Sequence, residues 1–587
     1  MRRKSLSVGP TFMLWLVASA ILIWSSWSQI TTLSGWDPDD QLRLVQLRDF
    51  LAGQSWFDTT QYRMNAPAGA PMHWSRLIEL PLALIVLSLT PFTGQTVAEM
   101  VAGATVPLML LGATAFILGQ IATQLANREA GFVAVLLTLL SPAILLQFRP
   151  MRIDHHGWQI MLAVLALWTM FWPEKRRGGF ILGVALAVWL HISLEGAPLT
   201  VAFFGLLGWR WVIEKAHGKR LMWTISAFAG TSVLLFLGTQ RPLLAVHCDG
   251  ISAPHIVGIL LAAAIMLPSV SIKPDRRAWR LAAGLVASVA ALAAILLIAP
   301  SCAQGAFGGL DPLVREYWYV HVNEGLPVWH QSWRNSLVLM PTSLCGLAAL
   351  FAVQSKAIGG ASKDLRVAGY FLIYATLLSL LVFRTVVVAT AFAIPLIAVW
   401  INNLFQQYRR SNIPVRRIGL VALMLFLLVP GPVLGQLSAT VGELAGARPD
   451  PKDKLVKIGA AICEGIASVS ALGRLPKARI VAPFDMGPTI LLTTSHEVLA
   501  SSHHRNRTGM RDHIDIFRLP PALAKTVIDR RGITHVVACP GEAEMLYYER
   551  KDPKGLWAEL STGKVPGWLE PLPEMGDGIK IWRVRQR

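Results

Sequence analysis

Charge is scarce in this sequence. Asp, Glu, Lys and Arg make up 15% of its 587 residues, where a soluble chain of that length would carry about a quarter. That argues against an ordinary soluble protein. Acidic residues are scarcer than basic ones, 35 against 54, and the net charge is +19. Such a balance would suggest nucleic acid, but the basic residues lie in short clusters between apolar runs, as the positive-inside rule distributes them, which argues against a nucleic-acid partner. Cysteine is also scarce. The five are spaced unlike any zinc site. Internal repeats and low-complexity segments are absent.

What is abundant is apolar sequence: 53% of residues are hydrophobic. Runs near 20 residues, long enough to cross a bilayer, recur from Phe12 to about Leu437. The first, Thr11 to Ile30, follows Met1-Arg2-Arg3-Lys4 and ends on no clean small-x-small cleavage site, so it reads as an uncleaved helix. Further runs cover 98–124, 131–148, 157–172, 179–194, 197–213, 221–239, 253–271, 279–299, 336–354, 366–383, 385–404 and 417–436. The expected count is about 13 spans. With the N-terminus in the cytoplasm, every strong basic cluster falls inside: Arg128, Lys175-Arg176-Arg177, Lys215 with Lys219-Arg220, Lys273 with Arg276-Arg277, Lys356 with Lys363 and Arg366, and Arg409-Arg410 with Arg416-Arg417. An odd count puts the C-terminus in the periplasm of a cell with an inner membrane. Leu77–Phe92 is short and holds Glu79, Pro81 and Pro91, so it reads as an interfacial helix in the first outer loop.

After Leu437 the composition turns ordinary. Helical periodicity over 454–472 and strands at 478–484, 497–501, 535–539 and 580–584 describe a soluble α/β domain. The expected architecture is an all-α polytopic membrane domain over 1–437 and a periplasmic α/β domain over 438–587. An oxidising compartment permits two bridges, Cys248–Cys302 between outer loops and Cys463–Cys539 in the outer domain, with Cys345 in a span. The alternative is five separate small apolar residues.

The polar residues that remain gather on the outer side. The first outer loop reads Gly35-Trp36-Asp37-Pro38-Asp39-Asp40-Gln41-Leu42-Arg43. Asp37 is a good N-cap, Pro38 suits the first helical position, and Asp39 and Asp40 favour the positive end of the helix. The same three carboxylates can supply a general base or hold a divalent metal; the two readings are compatible. The second outer loop, Arg149-Pro150-Met151-Arg152-Ile153-Asp154-His155-His156, offers oxygen and imidazole ligands beside arginines able to bind phosphate. The alternative is a polar helix cap before the next span. Arg384, between two apolar runs, is either a phosphate clamp or a snorkelling side chain. Glu195 is a further acid at a span end. The loop 300–335 carries Glu316 and Glu324 among aromatic residues that suit a membrane-interface belt or a sugar-binding wall.

Together these features resemble the GT-C glycosyltransferases, most of all the catalytic subunit of oligosaccharyltransferase. Trp36-Asp37-Pro38 with Arg43 is similar to that family's first-loop pattern, in which the Asp is catalytic. Asp154-His155-His156 is similar to its second-loop metal-binding motif. Arg384, with Pro395 downstream, is similar to the arginine that contacts the lipid-linked phosphate, and Glu324 or Glu316 stands where the family has a loop glutamate. The resemblance implies a polyprenyl-phosphate-linked sugar donor held in membrane lipid, an extracytoplasmic acceptor, and inversion at the anomeric carbon. Asp37 and Asp154 would be catalytic, and Arg384 and Arg152 would bind the donor phosphate. Mg²⁺ or Mn²⁺ would be held among Asp37, Asp154, His155, His156 and Glu324. The chain departs from the family in the outer domain. Where the family has Trp-Trp-Asp, the nearest segment is Ala482-Pro483-Phe484-Asp485-Met486-Gly487, without either tryptophan. A glycan, lipid or different protein acceptor is therefore expected rather than the Asn-x-Ser/Thr sequon. Asp37 and Asp154 are expected to share one outward-facing cavity.

Two other classes stand beside this one. A transporter or flippase of a lipid-linked or polar substrate would carry ionisable residues midway through its spans and repeated halves. A membrane scaffold would carry Trp-rich loops without a working acid pair.

Overall fold

The computed structural model describes residues 6–272, 275–354, 360–444, 463 and 465–585. Among them nine helices are long and apolar enough to cross a membrane. Two bent pairs pass the same test together: Trp333–Leu339 with Pro341–Gln354 at 44°, and Pro414–Leu428 with Pro430–Val441 at 97°. Each break falls immediately before a proline, which cannot continue the hydrogen-bond ladder. The count falls short of the expected 13 for local reasons. Arg128–Leu140 has 13 residues and His156–Met170 has 15. Lys175–Ile192 opens on three basic residues. Of the helix expected over 454–472, residues 454–462 and 464 lie outside the described residues, as do Lys273 and Lys356.

The chain packs as two units. The first holds the helices of 8–27, 101–308 and 323–444. Its centre is the span Phe383–Arg410, 89% buried over its most apolar window, while Arg277–Ile298 is 6% buried and faces outward along almost its whole length. Phe203 stacks on Phe371 at 4.1 Å in this core. Gly183 lets helix Lys175–Ile192 lie directly against Gly218–Thr239: a Cβ there would meet the Thr224 carbonyl oxygen at 2.4 Å. Cys248 and Cys302 are bridged, with Cα atoms 5.1 Å apart.

The second unit holds residues 28–100, 309–322 and the C-terminal region. In chain order it begins with α1 (Pro38–Leu51), a ribbon of β1 (Thr60–Gln61) and β2 (Ala70–Pro71), then α2 (Glu79–Thr93) and the first turns of α3 (Gln95–Leu125). A five-stranded sheet follows in the order β4-β3-β5-β7-β6: β3 is Arg479–Val481, β4 Glu497–Val498, β5 His535–Ala538, β6 Leu569–Pro571 and β7 Lys580–Val584. Strand β3 is parallel to β4 and β5, and β7 runs antiparallel to both its neighbours. The strands fall within the four stretches read from sequence, plus β6. Cys463 is bridged to Cys539 at the end of β5, with Cα atoms 5.8 Å apart.

The first loop is built into this domain. Arg63 donates to the carbonyls of Leu491 and Thr494, Arg48 to that of Leu492, and Met64 pairs with Val498. The segment 309–322 is tied on by Asp311 to Arg511, Glu316 to Lys551, and the Tyr317 hydroxyl to Asp552 at 2.8 Å.

Helix α2 corresponds to the short run at Leu77–Phe92. With Arg76 it reaches 18 residues, long enough to be counted as a span. Its ends argue otherwise. Glu79 at its start is buried against Arg43 (3.3 Å) and Arg76 (2.9 Å). Glu99, one turn into α3, pairs with Arg48 at 2.7 Å. Arg43 and Arg48 both lie on α1, only about 7.5 Å apart along its axis, whereas bilayer faces are about 30 Å apart. Both ends of α2 therefore sit on one side. Gly94, at φ 79°, supplies the turn between α2 and α3 that a residue with a Cβ rarely adopts.

Candidate active site

Within the first unit, the second outer loop is set by its backbone. Met151 takes a left-handed φ of 69°, costly for a residue with a side chain, and its N–H is held by the Gly103 carbonyl at 2.8 Å. That turn aims Arg152 and Asp154 inward. Asp154 is buried. It accepts from the His156 N–H (2.9 Å), meets His156 Nδ1 at 2.7 Å and Arg152 Nη2 at 2.8 Å. Burial alone would raise its carboxyl, but Arg152 and His156 hold it well below the usual carboxylate range.

A second chain of contacts runs from the same loop. His155 Nε2 lies 3.8 Å from Glu195 Oε2. Glu195 also accepts from Gln159 Nε2 at 3.0 Å, and Gln159 in turn accepts from Trp189 Nε1 at 3.2 Å. The other oxygen of Glu195 is paired with Arg384, whose Nη1 also lies 3.5 Å from Glu324 Oε1. The backbone beside Glu324 is pinned to Arg384's own turn, with Phe383 N–H donating to the Leu326 carbonyl at 3.1 Å. Arg152, Asp154, His155, His156, Glu195, Glu324 and Arg384 thus form one cluster, drawn from four segments. Gln159 and Trp189 belong to it and were not singled out from sequence. They sit inside apolar runs, where nothing in the pattern marks them.

The donor set suits a divalent metal. One ligand atom from each of Asp154, His155 and His156 lies within 4.8 Å of the others. His155 Nδ1 and His156 Nε2 are buried without a hydrogen-bond partner, and an imidazole nitrogen in that condition is a ready ligand. Nearby, an apolar cavity of about 640 Å³ opens among Trp329, Trp333, Met340, Leu344, Phe426 and Leu434. Gln331 on its rim donates to the carbonyls of Asn323 and Leu326, at 2.5 and 3.3 Å, so the cavity rim and the Arg384 cluster share one loop.

The remaining candidates lie in the second unit. Asp37 caps α1 by accepting from the Asp40 N–H at 3.1 Å, and Asp40 reaches back to the Trp36 N–H at 2.9 Å. This is a capping box displaced by one residue, since the return bond reaches the residue before the N-cap. Asp39 Oδ1 lies 3.3 Å from His503 Nε2. Asp485 is solvent-facing, yet burial of its surroundings, with the charges of Glu544 and Asp39 adding, pushes its carboxyl up to about 6. Glu316 is paired with Lys551, so of the two loop glutamates it is Glu324 that joins Arg384. His503 and Glu544 were not anticipated, although Ser501-Ser502-His503-His504-Arg505 is a polar run out of keeping with its neighbours.

The fold is that of a multi-pass membrane protein with a GT-C-like architecture and a small sheet-containing C-terminal region. Similar solved structures include the archaeal oligosaccharyltransferase AglB from Archaeoglobus fulgidus in complex with an inhibitory peptide and a dolichol-phosphate. The TM-score is 0.67 at 12% identity, over 98% of this chain and 74% of that one. The apo form of the Archaeoglobus fulgidus oligosaccharyltransferase gives 0.64 at 13% identity with the same coverage. Its complex with Zn and sulfate gives 0.56 at 13%, over 96% and 72%. At such identity the likeness is one of fold. No protein-family model matches the chain, and no curated protein matches its sequence.

Proposed function

We propose that this chain is a membrane glycosyltransferase that moves a sugar or glycan from a polyprenyl-phosphate-linked donor to an extracytoplasmic acceptor. The observation that carries the reading is the cluster joining Arg384, Glu195, His155, Asp154 and Arg152 beside an apolar cavity, in a fold whose solved examples include one bound to a dolichol-phosphate. A donor of this kind has an anionic phosphate and an apolar tail. Arginines and a cavity lined by Trp, Leu and Met match those two parts.

The chemistry follows from charge. The acceptor oxygen forms a bond to the anomeric carbon while the bond from that carbon to the phosphate oxygen breaks, and the electron pair leaves with the phosphate. Asp37 takes the acceptor proton as general base. Its rotamer is already set by the capping box, so little ordering is needed at the moment of reaction. Arg384 and Arg152 neutralise the departing phosphate. Asp154, His155 and His156, with Asp37 and Glu324 as further candidates, would hold Mg²⁺ or Mn²⁺. A bound ion there would add Lewis-acid stabilisation of the leaving oxygens. In this reading residues 1–437 are the catalytic domain and 438–587 face the periplasm. The N-terminus is cytoplasmic and the membrane is the inner membrane. The acceptor is a glycan, a lipid or a protein site other than the sequon, because Asp485 stands without flanking tryptophans.

The test is transfer by the protein reconstituted in liposomes. Polyprenyl-phosphate hexoses and polyprenyl-diphosphate glycans would be supplied in turn, with release of the lipid phosphate as the readout. Release that depends on wild-type protein and is lost with Arg384→Ala supports the reading. No release from any such donor, together with protein-dependent movement of the lipid between leaflets, would replace it with the flippase.

A further inference from the structure

Helix α1 is gripped by the C-terminal domain on the face that carries its first turn. Asp39 and Arg43 are four residues apart and so share one face of that helix. Asp39 meets His503 Nε2 at 3.3 Å. The Arg43 guanidinium lies over the Trp74 ring at 4.3 Å, and Trp74 packs edge-on against His503 at 4.8 Å. One stack of two rings therefore holds both residues. His503 is itself fixed: it is 1% exposed, and its Nδ1 is bonded to the Ser501 hydroxyl at 2.7 Å. Ser501 is fully buried in the loop that leaves β4. A buried imidazole locked at one nitrogen, with the other within ion-pair distance of a carboxylate, is a positioning device. The carboxylate it meets is only two residues from the proposed base.

We propose that His503 is a positioning residue for Asp37, acting through Asp39, so that the C-terminal domain helps to build the base's setting as well as to receive the acceptor. The inference rests on Asp37 being the base. Its physical content is narrower: without His503 the first turn of α1 loses an anchor, and the capping box that orients Asp37 opens more often. Since His503 is buried and packed against Asp39, Ser501 and Trp74, its loss lowers turnover and leaves donor affinity alone.

The experiment uses the full-length protein in nanodiscs with His503→Ala, His503→Gln, Asp39→Ala and the double variant His503→Ala/Asp39→Ala. Two readouts are taken. Hydrogen exchange follows the amides of residues 39–42, and turnover is measured with an undecaprenyl-phosphate hexose. In His503→Ala we expect exchange of those amides to quicken at least 10-fold while strands β3 and β5 keep their protection. The kcat should fall at least 10-fold with KM for the donor within twofold. Glutamine keeps an N–H donor at about the same reach and should restore most of both. The double variant should be no worse than the poorer single one, since both remove the same contact. Unchanged exchange in His503→Ala overturns the proposal, whatever the activity. Additive losses in the double variant also overturn it. Quickened exchange with no wild-type turnover from any donor would sustain the anchoring and sink the glycosyltransferase reading instead. If His503→Ala fails to fold, Asp39→Ala and His503→Gln decide: normal exchange in the former or no rescue in the latter counts against it.

Discussion

Arg384→Lys separates a phosphate clamp from a structural ion pair. The guanidinium is mostly buried, at 17% exposure, and its Nη1 serves Glu195 and Glu324 together. A planar fork can hold Glu195 with one edge and present its other N–H groups to a phosphate; a lysine offers one compact charge and cannot do both in that plane. The substitution therefore costs about one charge-assisted hydrogen bond to the donor, worth ~1.5–3 kcal/mol, or about 10- to 100-fold in affinity. Folding should suffer far less. Glu195 keeps the Gln159 amide at 3.0 Å and would still face an ammonium, so no acid is orphaned. The assay is binding of a fluorescent undecaprenyl phosphate to protein in nanodiscs, with thermal unfolding alongside. We expect Kd to rise about 10- to 100-fold with little change in Tm. An unchanged Kd would refute the clamp. A large drop in Tm with unchanged Kd would show that Arg384 serves only to hold Glu195 and Glu324.

Asp37→Asn keeps the acceptor for the Asp40 N–H, since Asn caps about as well as Asp, but removes basicity. Turnover should fall roughly 10²-fold or more with donor binding intact, and activity within twofold of wild type would exclude Asp37 as the base. Asp40→Asn keeps its acceptor toward the Trp36 N–H and Asp39→Asn keeps its size beside His503, so they should cost less. Asp485 has a folded-state pKa raised from 3.8 to about 6, so its ionisation disfavours the folded state. Its contribution is fully present below about pH 4 and is lost as pH rises to about 6. Asp485→Asn should therefore gain stability relative to wild type across that window, and a Tm difference that does not vary with pH would contradict the assignment. The bridge Cys463–Cys539 closes a separation of 76 residues, and the chain-entropy relation puts its loss at about 4.5 kcal/mol. Cys463→Ala/Cys539→Ala should show a markedly lower Tm, and non-reducing peptide mapping of the wild type should recover that pair and Cys248–Cys302; free thiols at those four positions would disprove both.

Local chemistry was the legible part of the site. Asp37, Pro38, Asp39 and Asp40 announce a helix start, and the capping box is what those residue types build. Arg384 and Glu195 were visible as charges that lie uneasily beside apolar runs. What could not be read is who meets whom. Nothing in sequence says that Glu324 rather than Glu316 reaches Arg384; the choice is made by the backbone tie from Phe383 to Leu326, and by Lys551 waiting for Glu316. His503 was invisible for the same reason. Its meaning depends on Trp74 and Asp39, which are more than 400 residues away in the chain. The strands of the α/β domain were legible because short β-branched runs between turns have few other uses.

The polar contacts also constrain the membrane topology more tightly than hydropathy does. His155, Glu195, Arg384 and Glu324 are linked pairwise, so they meet at one membrane face. An even number of crossings must then separate each from the next. Between Glu195 and Glu324 lie four helices that qualify as spans, and between Glu324 and Arg384 lie one bent pair and one span, which satisfies the rule twice. From His155 to Glu195 the helices His156–Met170 and Lys175–Ile192 must both cross or neither. A second constraint comes from the other unit, where α1 and the segment 309–322 are both bonded to the α/β domain and so share a face. Between them lie five qualifying spans, once α2 is set aside, and the total must be even. An odd number of the three remaining helices, Arg128–Leu140, His156–Met170 and Lys175–Ile192, therefore crosses. Since His156–Met170 and Lys175–Ile192 count together, the helix beginning at Arg128 has to cross, although its 13 residues alone are too few. It can do so only with Pro142–Leu145 continuing it. Ser141→Pro would place two prolines in a row at that joint, and it should impair insertion of this hairpin more than the same change at Ser55, an exposed loop residue outside any helix. Equal insertion of the two variants, read by glycosylation-tag mapping of the loop after residue 146, would break the count.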